Sequence, residues 1–439
     1  MESPAADSSP AGAVPRRVWR GMALQVAGRF WSTGCTLLYF WLAARALGAA
    51  DFGLLTFYLA VFSWLDGLAN MGTGQVAVQL TAGHPEQTGP VLATARRVRL
   101  AAGLLGVLLV GGGACAAREE GAGWILLASL YPVTHVLELS ATVFRNRIAW
   151  GVPVLMRSIA SGLSLAAVAL LAWRAAHEPA LFLLGIAAGS ATANFLLHAA
   201  SRPHLPRGRH VPAPLGPFLR AAIPLGLSGL CAQTYFYIDN LFVRALCGNE
   251  PLGHYNVAVR VLSASIMLSQ YASLTALPWF TRRHQAGALG PAIARLAAPL
   301  FALAGLGCGL LWPWAGPLLE LFGPGFGAAA GALRWLLLAT LAIYAGSLLL
   351  TGVVAVGDTR SMLWIAAAGL AVNIGLNACM VPLWGIDGAA AATFATEACV
   401  TLGALLTLRR AGVRAGGTAS AWRQAIPAWD RGRSAVVSG

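Results

Sequence analysis

The feature that most constrains this chain is a succession of apolar runs, each about twenty residues long or more. A helix of that length crosses roughly 30 Å of hydrocarbon. Backbone groups in lipid must be satisfied internally, so a spanning chain forms helices or a closed barrel. The runs are continuous, rich in Leu and Ala, and lack the alternation of barrel strands. They read as an all-α polytopic membrane protein with about twelve transmembrane helices. The spans fall near 18–43, 52–72, 91–115, 122–144, 153–174, 179–200, 217–246, 253–278, 291–315, 326–355, 361–382 and 387–408. Charged residues make up only 10% of the chain, against about 25% in a soluble domain. The mean hydropathy of +0.68 agrees.

The chain repeats itself halfway along. Arg45-Ala46-Leu47-Gly48 and Gly53 answer Arg244-Ala245-Leu246-Cys247-Gly248 and Gly253, about two hundred residues later. The two hairpins, Leu38–Phe62 and Phe218–Leu262, share this turn. Asp239 and Arg260 in the second copy answer Phe40 and Ala60 in the first, so these charges are the unshared part. A repeat of this kind predicts two pseudo-symmetric six-helix bundles around a central cavity. The expected divisions are a disordered tail at 1–17, an N-lobe at 18–200, a cytoplasmic linker at 201–216, a C-lobe at 217–410 and a disordered tail at 411–439.

The net charge is +14 and every basic residue is arginine. Arginines cluster before the first span and after the even ones: Arg16, Arg17 and Arg20, then Arg96, Arg97 and Arg99, then Arg145 and Arg147. The same holds for Arg202, Arg207 and Arg209, for Arg282 and Arg283, for Arg360, and for Arg409 and Arg410. The alternate loops hold one or none, which predicts that both termini are cytoplasmic. The charge therefore points to loops and anionic headgroups; no soluble basic domain is present for nucleic acid. The seven cysteines lack CxxC spacing and read as small buried hydrophobes, with no metal site.

Polar residues inside the spans are costly, about 2.5–3.5 kcal/mol for a central Arg or Asp. Arg29, Ser32, Thr33 and Thr36 share one face of the first helix, and Thr56, Ser63, Asp66 and Asn70 one face of the second. Asn256, Arg260, Ser263 and Gln270 form a third stripe, and Tyr235 and Asp239 lie one turn apart. The Ser and Thr residues read as helix–helix glue. Asp239 either pairs with Arg260 or binds an ion. Arg220 either snorkels or meets a ligand, and Arg157 reads as an interfacial residue. His135 and Glu138, three apart, form either a proton relay or a packing contact. The candidate cavity residues are thus Arg29, Asp66, Arg220, Asp239 and Arg260. Guanidinium groups in one cavity suit a phosphate or diphosphate, because the planar fork bonds oxygens in pairs and stays charged.

Three motifs carry a resemblance. They are the turn Arg45–Gly53; Ile238-Asp239 followed by Gly253-His254-Tyr255-Asn256; and Val372-Asn373 and Asn377 followed by Pro382-Leu383-Trp384-Gly385, Gly388 and Thr393. Together they resemble the polysaccharide transporter branch of the multidrug/oligosaccharidyl-lipid/polysaccharide flippase superfamily. That resemblance implies two six-helix bundles working by alternating access in the bacterial cytoplasmic membrane. The cargo it implies is undecaprenyl-diphosphate-linked oligosaccharide for surface polysaccharide, with Arg260 as a charge contact. Membrane lipids and other envelope polysaccharide-assembly proteins are the expected partners. No cofactor is expected, and the coupling ion, H+ or Na+, stays open. A drug or cation antiporter of the same superfamily would want acids dominating the cavity. A membrane glycan polymerase or ligase would want a long outer loop with catalytic residues, which the sequence lacks.

Overall fold

A computed structural model describes residues 16–413, except 83, 117, 120, 148, 150 and 206–209. Most of both expected tails therefore lies outside the described residues. Every span-length element is helical, and nine stretches are long and apolar enough to cross a membrane. The bent pair Leu215–Pro224 and Gly229–Cys247 makes a tenth among the described residues.

The sequence count was about twelve, and the difference has a specific source. The first helix, α1 (Arg16–Asn70), holds 55 residues without leaving helical hydrogen bonding. Such a helix would run about 80 Å if straight, more than twice the hydrocarbon core. It breaks at Gly48, with φ 75° and ψ −180°. The last helix, Thr359–Arg410, holds 52 residues and breaks at Gly385, with φ 56° and ψ −132°. Only glycine enters these conformations without strain. The repeat's second turn behaves alike: Gly248 has φ 95° and ψ −175°, and a new helix starts at Asn249. The turns shared by the two hairpins are thus single-residue breaks, because one positive-φ glycine redirects the chain and the helix resumes at once.

The chain divides into two compact units, Met1–Gln233 and Thr234–Gly439. In the first, α1 is followed by α2 (Thr73–Thr81), α3 (Thr88–Gly106), α4 (Gly113–Ala116), α5 (Ala122–Ala128) and α6 (Tyr131–Glu138). Then come α7 (Thr142–Asn146), α8 (Gly151–Trp173), α9 (Pro179–Ser201) and the start of α10 (Leu215–Cys247). The division falls inside α10. Its first turns pack on the first unit, where Phe218 and Ala222 join Val76, Val91, Leu92 and Leu139 in one apolar cluster. The preceding extended segment is tied there too, since Ala213 N–H donates to Pro90 O at 3.1 Å.

The second unit holds the rest of α10, then α11 (Asn249–Ser265), α12 (Met267–Gln285), α13 (Leu289–Leu311), α14 (Ala315–Glu320), α15 (Ala330–Val356) and α16 (Thr359–Arg410). One of its apolar clusters gathers Phe280, Leu289, Ile293, Leu348, Val353 and Leu408. In both units large apolar side chains such as Leu108, Leu274 and Leu383 face outward, while Arg99, Asp239 and Asn377 are buried. That is the inverse of a soluble protein and suits a lipid surround. The cysteines follow it only partly. Cys35 and Cys308 are buried, but Cys115, Cys379 and Cys399 are exposed on apolar helix faces, where lipid contact suits a small weakly polar group as well as a core does.

Candidate functional site

Each unit gathers its own polar cluster. In the first, helical spacing brings Arg29, Ser32, Thr36 and Tyr39 to one face of α1 and Asp66 and Asn70 to the face beyond the break. From α6 come Tyr131, His135 and Glu138, from α7 Arg145, from α8 Arg157 and Ser161, and from α9 Ser190 and Asn194. Together they line a cavity of about 590 Å³, within the usual range for ligand sites.

Glu138 is the hub of its charges. Its Oε2 accepts from Arg99 Nη1 at 3.3 Å, and its Oε1 accepts from Arg157 Nη2 at 3.3 Å with Arg145 Nη2 at 4.0 Å. Arg99 is only 3% exposed. It also donates to Thr73 Oγ1 at 2.9 Å, His135 O at 2.9 Å and Asn70 Oδ1 at 2.6 Å, so it ties α1, α2 and α6 to α3. Gly74 leaves room for this guanidinium; a Cβ there would meet Arg99 Nη2 at 3.1 Å. His135 pairs with Asp66. Of the two readings of His135 and Glu138, relay or packing contact, the structure shows two separate pairings, because His135 turns toward α1 and Glu138 toward the arginines. With Arg29 on the wall and Arg99 behind it, guanidiniums outnumber the carboxylates Asp66 and Glu138.

Two of the predicted residues, Arg29 and Asp66, are brought together here. Glu138, Arg99, Arg145 and Arg157 were not predicted to meet in this cluster. The arginines read as loop or interface charges, yet α3 starts at Thr88, which puts Arg99 about 16 Å inside the helix. The signal available was the spacing: Arg96 and Arg99 share the inward face, and Arg97 between them is exposed. The glue expectation is met in part. Ser161 Oγ donates to Ser32 Oγ across helices at 3.0 Å. Thr56, Ser63 and Ser263 instead donate to carbonyls of their own helix, a local competitor for the hydroxyl.

In the second unit Asp239 is 3% exposed on α10. Its Oδ2 accepts from Tyr255 Oη at 2.7 Å and Thr393 Oγ1 at 2.8 Å, and its Oδ1 from Asn377 Nδ2 at 2.8 Å. Asn377 Nδ2 also reaches Asn373 Oδ1 at 3.1 Å, while Asn377 Oδ1 is buried with no hydrogen bond among the described residues. A second buried acid, Glu397, lines the same small pocket with Tyr235 and Asn373. That pocket holds about 20 Å³, room for about one water. Asp239 makes no pair with Arg260 among the described residues; its partners are all neutral. The reason is rotation. Tyr255 is the α11 residue facing Asp239, and Arg260, five positions on, lies about 140° around the helix. Arg260 is half-buried and Arg220 is exposed on α10; neither lines either cavity.

Chemically, the first cluster can hold an anion and the second a proton or one small cation. Among the described residues no three His, Cys, Asp or Glu side chains gather as metal ligands.

Solved structures with the same fold are known. A structure of the lipid II flippase MurJ in an inward closed conformation is 15% identical, covering 88% of this chain and 87% of that one, with a TM-score of 0.73. An inward-facing multidrug resistance MATE family transporter of the MOP superfamily is 13% identical, covering 89% and 98%, with a TM-score of 0.69. A MOP superfamily transporter from Pyrococcus furiosus, described as having a binding pocket of reverse polarity, is 14% identical, covering 90% and 95%, with a TM-score of 0.65. No curated protein matches the chain in sequence. The family model described as polysaccharide biosynthesis protein matches residues 18–284, more than half of the chain. With the fold of MOP superfamily transporters and that match, the chain belongs to the polysaccharide biosynthesis protein family.

Proposed function

We propose that this protein is a flippase that moves undecaprenyl-diphosphate-linked oligosaccharide across the bacterial cytoplasmic membrane by alternating access. The observation that carries the reading is the first unit's cavity, where Arg29, Arg145 and Arg157 line a space of about 590 Å³. A diphosphate suits a set of guanidiniums, through paired charge-assisted hydrogen bonds. Family membership ties that anion to surface polysaccharide assembly. In this reading each double-length helix counts as two passes, giving twelve, with both termini cytoplasmic as the arginine distribution requires.

The second unit supplies the coupling ion's place. Asp239, with Asn373, Thr393 and Glu397 around a space of about 20 Å³, suits a proton or a bare monovalent cation. This space is too small for an organic cation, which disfavours the drug antiporter. Carrying about two negative charges outward gains about 2.3 kcal/mol per charge for each 100 mV of inside-negative potential. The test is reconstitution in vesicles with a polyprenyl-diphosphate-linked oligosaccharide. Protein-dependent appearance of the glycan on the far leaflet, faster under an imposed potential, is expected. Vesicles with folded protein and no translocation above protein-free vesicles overturn the reading.

A further inference from the structure

The two oxygens of Glu138 do different work. Oε2 faces Arg99, whose guanidinium is held by Thr73, Asn70 and the His135 carbonyl and is buried. Oε1 faces the cavity, where Arg157 Nη2 at 3.3 Å and Arg145 Nη2 at 4.0 Å converge on it from α8 and α7. The Arg157 side chain is 64% exposed. Neither Arg145 nor Arg157 makes another ion pair among the described residues, and each keeps N–H groups without a protein acceptor. One carboxylate oxygen thus sits where two partly exposed guanidiniums meet at a cavity wall. A phosphate oxygen makes the same demand with more charge.

We propose that Glu138 is a built-in stand-in for the ligand's anionic group. In the empty cavity Oε1 holds Arg145 and Arg157 in place. A diphosphate displaces that oxygen and takes over both guanidiniums, while Oε2 stays with Arg99. The proposal rests on the diphosphate reading above. It adds a selection rule: a ligand must outcompete a carboxylate to enter. A dianionic diphosphate does so through charge and paired hydrogen bonds. A monoanionic lipid headgroup, abundant around any such protein, gains nothing over Glu138 and is refused. The competition also keeps affinity moderate, which a carrier needs in order to release its load.

The sign of the effect separates this from a structural role. Removing a merely structural carboxylate weakens the site; removing a competitor tightens it. The test is calorimetric titration of the full chain in detergent micelles with inorganic pyrophosphate, geranylgeranyl diphosphate and phosphatidylglycerol. Glu138→Gln is expected to bind both diphosphates about tenfold more tightly than the parent, the worth of one charge-assisted hydrogen bond, and to gain measurable affinity for phosphatidylglycerol. Glu138→Asp serves if the amide variant does not fold: it keeps a carboxylate for Arg99, withdraws it from Arg157 by one methylene, and should also bind diphosphates more tightly. Tighter binding of the prenyl diphosphate than of pyrophosphate assigns the ligand to a lipid. Equal binding assigns recognition to the diphosphate alone, and the Glu138 shift is required in both cases. If the parent binds diphosphates and the folded variants bind them equally or less well, the stand-in is wrong and the diphosphate site survives. If the parent binds neither diphosphate, the flippase reading itself falls.

Discussion

Glu138 in the first unit accepts from Arg99 and Arg157 and has Arg145 at ion-pair distance, whereas Asp239 in the second accepts from one tyrosine, one threonine and one asparagine. Glu138's arginines lie within 39 positions of it, whereas Asp239's partners lie up to 154 positions away. The first cluster opens onto a cavity of about 590 Å³ and the second onto about 20 Å³. A carboxylate among guanidiniums leaves surplus positive charge, so the space beside it attracts anions. A carboxylate among neutral donors leaves no positive charge to balance it, so the space beside it attracts a proton or a bare cation. In the function proposed above, size and charge divide the labour: cargo with one acid, coupling with the other. The difference also separates groups that hold the fold from groups that meet a ligand, and substitutions can test that separation.

The largest effect belongs to Arg99. Arg99→Met removes the buried partner of Glu138 and strands Thr73, Asn70 and the His135 carbonyl. Breaking a buried pair from one side costs about 3 kcal/mol or more. Thermal unfolding in micelles should show it, and a variant as stable as the parent would mean that the first cluster has no structural half.

Next come the break glycines. At both Gly48 and Gly248 an added Cβ meets no neighbour within 4 Å, so any loss is backbone strain alone. Their φ and ψ lie in a region almost exclusive to glycine, and alanine there costs about 1–3 kcal/mol. Gly48→Ala and Gly248→Ala should lower the unfolding temperature by similar amounts. Unequal losses would separate the two copies of the hairpin that the repeat equates.

These glycines were legible in the sequence because a repeat compares a chain with itself: Arg45 to Gly53 marked one break and Arg244 to Gly253 the other. Arg29 and Asp66 were legible from helical spacing. The Glu138 cluster was not, since Arg99, Arg145 and Arg157 come from three helices and each, taken alone, resembles an end-of-helix charge. Nor was the Asp239 cage. Which residue of α11 faces Asp239 depends on a helix rotation of about 140° between Tyr255 and Arg260, and charge made Arg260 the more conspicuous choice. The two span counts differ because a helix that breaks at one glycine keeps its hydrogen-bonding pattern on both sides, so two spans read in the sequence merge into one element.

Asp239→Asn probes the second cluster. The amide retains an acceptor for Tyr255 or Asn377 but loses the charge that strengthens those bonds, so stability should fall by about 1 kcal/mol. Transport should fall much further, while affinity for geranylgeranyl diphosphate, measured in micelles, stays at the parent value. A matching loss of ligand affinity would merge the two roles that the comparison assigns to separate acids.

The smallest effect on stability belongs to Arg157. Its side chain is 64% exposed and touches Glu138 through one nitrogen. An exposed pair of this kind contributes about 0–1 kcal/mol and weakens with salt. Arg157→Gln should therefore unfold within about 1 kcal/mol of the parent, and raising the salt concentration should erase even that difference. Its ligand affinity should still drop, since a neutral amide offers neither the charge nor the fork of a guanidinium. The contrast with Arg99→Met is what matters: two arginines on one carboxylate, one lost at the expense of the fold and the other at the expense of the cargo. If Arg157→Gln destabilises the protein as much as Arg99→Met does, both arginines belong to the scaffold, and Arg29 and Arg145 are left as the cavity's ligand contacts.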